Sequence, residues 1–349
     1  MPVCLLFIKS GLLILSQSAA TPARTLRQYQ DIVNKHFNLD FHMPRKDQCD
    51  ICHVHQNLPK PVLETESKIY SDHLLNKNIA RELKVKFKKL SETEPTKTIT
   101  ATYDFQKIHG IPHSQTSILY YKRKLCVYNL TFYSLGQKEG TCYVWDETIA
   151  KKGATEVATC VYNYIKEYSQ KGFENFNFFS DNCGGQNRNR IVFLSYLQAA
   201  KDFNVTIIHT FLERGHTHNE GDSVHALIER FAKNKTIYTP DDWYNMIRWC
   251  KQDGKPYQVI EMQNEMFIDF KNFLSGPNWT VNTNGEKMFW SQIRQLLILP
   301  NEIMRLIEFI TRQIFVVMRM TVLIIPEKCH SFYEALVPGD DDVVETNED

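Results

Sequence analysis

Apolar and polar positions along the middle of the chain change period in a regular order. Over Thr98–Phe105, β-branched and aromatic residues alternate with small ones, the period of a strand with Asp104 near its exit. His109-Gly-Ile-Pro112 breaks that strand. Ser117–Ser134 alternates again and predicts a second strand, and Leu135-Gly-Gln-Lys-Glu-Gly140 turns the chain into a third, Thr141–Glu147. The period then becomes helical: Val157, Val161, Tyr164, Ile165 and Tyr168 share one face between Ala154 and Gln170, and Gly172 is the stop. Phe176–Ser180 is a near-continuous aromatic run, the mark of a strand covered on both faces, and it halts at Asp181. Gly184 and Gly185 turn the chain, and a helix follows from about Asn189 to Phe203. A fifth strand, Val205–Leu212, and a helix from about Asp222 carrying Val224, Leu227, Ile228 and Phe231 complete the series.

Flanking segments are patterned differently. Thr25–Phe41 predicts a helix, and Glu64–Leu90 a charged amphipathic helix with Ile69, Leu74, Ile79, Leu83 and Phe87, followed by a linker, Ser91–Lys97. Pro240–Cys250 predicts a helix, Tyr257–Ile260 a short strand and Asn264–Leu274 another helix. Ile303–Ile325 is strongly apolar, but Arg305, Glu308, Arg312 and Arg319 interrupt it, so it reads as core helix and strand with no membrane span. The expected divisions are a signal-like start (1–24), a helical segment with a Cys-x2-Cys pair (25–97), a catalytic core (98–235), an α+β extension (236–338) and an acidic disordered tail (339–349).

Three sequential antiparallel strands followed by helix, strand, helix, strand, helix make an α/β order whose later strands need right-handed crossovers and extend the sheet in parallel. That succession resembles the ribonuclease H-like fold: a mixed five-stranded sheet, an antiparallel meander and then parallel strands, with flanking helices. In it one carboxylate lies on the first strand, one at the end of the fourth and one on the helix after the fifth. Asp104, Asp181 and the acids around Asp222 occupy these places. Carboxylates meeting at one sheet edge suit hard divalent cations, and two ions roughly 4 Å apart can activate a nucleophile and stabilise the leaving oxygen of a phosphodiester. For the third acid Asp222 ranks first, Glu220 second and Glu229 a distant third. His216 and His225 could orient the attacking group or move a proton. Taken singly, Asp222 would be read as a helix cap and Asp104 as a strand-end turn residue. Their joint placement argues for a site.

Cys49 and Cys52 form a pair spaced for one metal ion, and structural zinc would need two more ligands, with His53, His55 and His73 as candidates. A different reading gathers zinc on His216, His218 and His225 as a hydrolase. With 43% hydrophobic residues the chain can bury a substantial core, and its net charge of +1 carries no global signature of nucleic-acid binding. Local basic clusters exist at Arg81–Lys89 and Lys122–Lys124. Met1–Ala20 imitates a secretory signal without a basic start, and Asn129, Asn204, Asn234 and Asn278 head glycosylation triplets. Three of these fall in predicted strands or helices, which favours an intracellular, reduced protein, with secretion as the alternative.

Four stretches together carry a family resemblance: Tyr103-Asp104-Phe-Gln, Tyr120-Tyr-Lys-Arg-Lys-Leu, Ser180-Asp-Asn-Cys-Gly-Gly-Gln-Asn-Arg-Asn189 and Gly215-His-Thr-His-Asn-Glu-Gly-Asp-Ser-Val-His225. Over about Arg45 to Lys287 the chain resembles a multi-copy group of transposon-derived invertebrate proteins with a core similar to that of DDE transposases and integrases. The resemblance implies nucleic acid as substrate, Mg²⁺ or Mn²⁺ as cofactor, and Asp104, Asp181 and Asp222 as metal-binding acids; DNA is the expected partner and the nucleus the expected location, while the sequence leaves open whether the chain forms a homo-oligomer. The signal-like start and the lack of a complete DNA-binding module ahead of the core depart from that pattern. They point to a truncated or domesticated copy, the alternative being an inactive relative that binds nucleic acid or protein.

Overall fold

The computed structural model describes residues 25–36, 48–58, 63–114, 116–271, 290, 293–300, 314–317 and 320–325. The signal-like start, the acidic tail and the Asn278 triplet lie outside them. The chain divides into residues 1–47, whose described part is the helix α1 (Leu26–His36), and residues 48–349.

The larger unit opens with α2 (Asp50–Asn57) and the long α3 (Glu64–Thr93). Then come β1 (Thr98–Phe105), β2 (His109–Ile111), a single-turn α4 (Ser117–Tyr120), β3 (Leu125–Ser134), β4 (Glu139–Asp146), α5 (Ala154–Gln170), β5 (Asn175–Ser180), α6 (Arg190–Phe203), β6 (Thr206–Phe211), α7 (Gly221–Ala232) and α8 (Pro240–Trp249). The described C-terminal strands are β7 (Gln258–Glu261), β8 (Gln295–Ile298), β9 (Ile314–Val317) and β10 (Met320–Ile325). Local chemistry sets several ends. Asn189 caps α6 by accepting from the amides of Ile191 and Val192 at 3.0 and 3.1 Å, and Asn204 closes it in the left-handed region at φ 53°. Thr239 and Asp242 form a capping box with Pro240 in the first turn of α8.

The architecture is α/β, one mixed sheet with helices on both faces. Its order is β7-β4-β3-β1-β5-β6-β8-β10-β9, with β2 beside β3. Strand β3 runs antiparallel to β1 and β4, whereas β5 is parallel to both β1 and β6. Successive side chains alternate between faces. Tyr143, Trp145 and Phe178 therefore join α5 and α6 in one core, while Cys142 and Val144 pack with Val224, Ile228, Trp243 and Ile247 of α7 and α8. Phe179 meets Ala80, Leu83 and Phe87 of α3. These three lie on the helical stripe that begins at buried His73, whereas Ile69, expected on the apolar face, is 60% exposed.

Three expectations change. Ser117–Tyr120 is a helical turn ahead of β3, so the second strand begins at Leu125; β2, after which the chain reaches Pro112, takes the place beside β3. The sheet exceeds five strands because segments read as a C-terminal extension add to both its edges, β7 on β4 and β8 on β6. The expected helix from Asn264 is a 3₁₀ turn, Asn264–Met266, within the described residues. Asn129 is fully buried and donates to Gln106 Oε1 at 2.9 Å, which leaves no room for a glycan. Among the described residues no helix is long and apolar enough to cross a membrane.

Phe178 sits at the centre of the larger core, its ring 5.8–6.4 Å from those of Tyr196, Tyr103, Tyr164 and Phe132. Removing it leaves a cavity that stiff aromatic neighbours cannot close. Phe178→Ala is expected to cost about 3–5 kcal/mol of stability, measurable by urea denaturation of the purified chain.

Candidate functional site

The site begins with strand register. The last paired positions of β1 and β5 are Thr102 and Phe179. Two residues further along the chain from each stand Asp104, within β1, and Asp181, just past β5, so continuing the parallel register sets the two acids opposite one another. Neighbouring strands lie about 4.8 Å apart, so their backbones hold the two carboxylates at one rim. Asp181 Oδ1 accepts from the Cys183 amide at 3.1 Å and from the side-chain amide of buried Asn187. Asp104 Oδ1 accepts from the Phe105 amide at 2.7 Å.

The third acid is brought in by α7. Gln106, just past β1, is buried; its Nε2 donates to the His225 carbonyl at 3.1 Å while its Oε1 accepts from Asn129 of β3. This ties the first turns of α7 to the exit of β1. Asp222 Oδ2 caps the turn by accepting from the Asn219 amide at 3.0 Å. A side chain at Gly221 would meet the side-chain Oδ1 of Asn219 at 2.7 Å, so a larger residue there would displace the Asn219 side chain.

The electrostatics record the convergence. Burial, then the charges of Asp181 and Asp222, push the Asp104 carboxyl up to about 7, against the opposing pull of the Phe105 amide and Lys152. Burial lowers His225 to about 4, although Asp222 acts the other way, so its ring is neutral at physiological pH and its Nε2 is buried without a hydrogen-bond partner. Half-buried Lys152, whose own pKa is lowered by burial, stands within electrostatic reach of Asp104, Cys183 and Asp181 and lies over the Phe105 ring at 4.6 Å. Sequence reasoning missed Lys152. Its signal was the Lys151-Lys152-Gly153 stretch between the third strand and the next helix, at the strand end opposite the Leu135–Gly140 turn.

Beneath the rim runs a buried polar chain. The Tyr103 and Tyr196 hydroxyls are 3.1 Å apart, Tyr196 reaches His209 Nδ1 at 3.1 Å, and His209 Nε2 meets Ser180 Oγ at 3.0 Å. Ser180 Oγ in turn donates to the Asp181 carbonyl at 2.8 Å. Burial drives His209 to about 3, so its ring is neutral. One tautomer satisfies every link: Nε2 donates to Ser180 and Nδ1 accepts from Tyr196.

His216 and Glu220, expected near the acids, are drawn elsewhere. Glu220 pairs with Lys84 of α3 at 2.6 Å. His216 Nε2 lies 3.4 Å from Cys52 Sγ, and His73 Nε2 lies 3.2 Å from Cys49 Sγ and 3.4 Å from Cys52 Sγ. The donor atoms of Cys49, Cys52, His73 and His216 all fall within 4.8 Å of one another and could hold a metal ion. Among the described residues this is the set so gathered; the three aspartates do not all approach within that limit. His53 contacts Asn57 of its own helix and His55 stacks on Tyr70 at 3.7 Å, so neither joins the cysteines. Exposed His218 and His225, which feels Asp222, do not gather with His216.

Residues 130–295 match a family described as a domain of unknown function (DUF7869). The match takes in Asp181, His216, Asp222 and His225, while Asp104, Cys49, Cys52 and His73 precede it. No curated protein matches the chain.

Because the Asp104 carboxyl holds its proton more tightly folded than unfolded, the associated stability is fully present below about pH 4 and is lost as pH rises through about 7. Asp104→Asn is therefore expected to raise the melting temperature of the metal-free chain by several degrees at pH 8 and to change it little at pH 4. Thermal melts across this range check the sign: an equal gain at both pH values would mean that the carboxylate carries no penalty.

Proposed function

We propose that the chain is a ribonuclease H-like polynucleotidyl transferase or nuclease of the transposase type, acting on DNA phosphodiesters with Mg²⁺ or Mn²⁺. The observation that carries this reading is the convergence of acids from three separate elements, in which the charges of Asp181, after β5, and Asp222, of α7, both act on the buried carboxyl of Asp104 on β1. The strand order β4-β3-β1-β5-β6, with its antiparallel and then parallel pairings, supports the fold half of the proposal. A site that raises a carboxyl to about 7, by burial first and then by neighbouring like charge, is a site whose unfavourable energy a divalent cation would relieve.

In this reading the cation supplies the Lewis acidity that activates the attacking oxygen and stabilises the leaving one. The chain's own residues prepare for it. Asp104 gives up its proton when positive charge arrives, and Asp181 is held in place by the Cys183 amide and Asn187. Lys152 offers a cation beside the acids for a phosphate oxygen. Neutral His225, with a free buried Nε2, can accept a hydrogen bond or proton from the nucleophile.

A second reading has its own support: the carboxylates are not all within 4.8 Å, and Asp104 is half-protonated near neutrality. That favours an inactive relative which binds nucleic acid or protein without cutting it. Single-turnover assays on DNA with Mn²⁺ separate the two. The catalytic reading expects cleavage that falls at least a hundredfold in Asp181→Asn and in Asp222→Asn with binding retained. It fails if the two variants cut as well as the unmodified chain, or if the unmodified chain binds DNA in a salt-dependent way and never cuts it.

A further inference from the structure

We infer that Cys49, Cys52, His73 and His216 form a closed, four-coordinate zinc site whose work is structural: it clamps the segment from Glu213 to Asp222 onto α2 and α3. The inference is independent of the phosphodiester reading, since it concerns a different donor set with different chemistry. Two thiolates and two imidazoles select a soft or borderline ion, and four protein ligands leave no open position for substrate.

The geometry already approximates the coordinated state. With Zn–S about 2.3 Å and Zn–N about 2.0–2.1 Å, a tetrahedral site has S···N edges of about 3.5 Å. The three edges at hand measure 3.2, 3.4 and 3.4 Å, and all three use Nε2, so both rings offer the same nitrogen to one centre. Cys49 is the N-cap residue of α2 and Cys52 lies one turn on, which turns both sulfurs the same way. His73 is a buried polar residue on the stripe of α3 that otherwise packs on the sheet.

The surroundings are built for it. Zinc-ligating histidines commonly direct their second nitrogen at a carboxylate that fixes ring and tautomer. His73 Nδ1 is buried with no hydrogen-bond partner and faces Glu213 Oε1 at 3.6 Å, just beyond hydrogen-bonding distance. Glu213, itself buried, is held from its other oxygen by Arg294 at 2.8 Å. On the opposite side Gly215, at φ +74°, lets the loop pack against Cys49: a side chain there would stand 2.6 Å from Cys49 Cα. Glycine thus permits the approach that brings His216 to the sulfurs. The Lys84–Glu220 pair adds a second tie from α3 to the same loop, whose end carries Asp222.

The test uses the full chain. After reconstitution with zinc and removal of the excess, one zinc per chain is expected by elemental analysis. Cobalt substituted at the site should show the intense visible bands of a tetrahedral ion with two thiolate ligands. His216→Ala should weaken zinc binding at least a hundredfold and alter the cobalt spectrum. Glu213→Gln should keep the spectrum and weaken binding by about 10–100-fold, as loss of an outer carboxylate does. Chelation should speed amide exchange across residues 214–222. Substoichiometric zinc in the unmodified chain, or a His216→Ala variant with unchanged affinity and spectrum, overturns the inference. Should His216→Ala fail to fold, competition titration of the metal-free unmodified chain against a chelator of known affinity still decides it: absence of a tight, single zinc site rejects the proposal.

Discussion

The parallel pairing of β1 with β5 is the constraint on which the arrangement depends. A strand pair has a period of two, so a slip of one residue would turn Asp104 and Asp181 onto opposite faces and bury one of them in aromatic core. The register is held by what lies below it. Phe178 fills one face among the rings of α5, α6 and β3, while Phe179 fills the other against α3. Neither ring can exchange places with a polar neighbour. The apolar core therefore fixes the position of the acids, and no contact between the acids themselves is required.

Gathering like charges works against folding, and the surroundings of the rim offset the cost piecemeal. Backbone amides of Phe105, Cys183 and Asn219 each donate to one of the three carboxylates. Lys152 places positive charge nearby without forming a close ion pair with any of them, which would compete with a cation for the same oxygens. What remains uncompensated appears at Asp104, whose burial and acidic neighbours keep its proton on up to about pH 7. Asp104 is thus the member whose charge state a ligand would change most. The tyrosine–histidine–serine chain beneath the rim contributes rigidity of a different kind, because a fully satisfied polar network has one arrangement and resists repacking.

Much of this was legible from pattern. The aromatic run ending at Asp181, the strand bearing Asp104 and the helix opening at Asp222 each announce themselves by periodicity, and the chain order of elements implies their meeting. What pattern could not provide is long-range pairing. Gln295–Ile298 is too short an apolar segment to declare which strand it joins, yet it extends the sheet beside β6. Ser117–Tyr120 alternates like a strand and instead makes one helical turn, since four residues carry too little period to distinguish the two. Lys152 was invisible because a lysine between two elements reads as solvated, and only the rim around it gives it a role. His216 was read with the acids because it precedes Asp222 by a few residues. Glycine's backbone at position 215 sends it the other way, toward a cysteine pair far off in sequence.

That divergence shows how the two clusters are related. Residues 212–220 form one short connection between β6 and α7, and its two ends answer to different demands: Glu213 faces His73 and His216 faces Cys52, while Asp222, in the first turn of α7, faces the sheet rim. A loop of this length, left to itself, samples many conformations, and each would move Asp222 relative to the fixed pair on β1 and β5. Anchoring it at Cys49 through Gly215, at Cys52 through His216 and at Lys84 through Glu220 removes that freedom from the side remote from the acids. The sheet can then hold two carboxylates by register alone, while the third, which no strand carries, is positioned from two sides: by Gln106 at the exit of β1 and by the contacts of the preceding loop with α2 and α3.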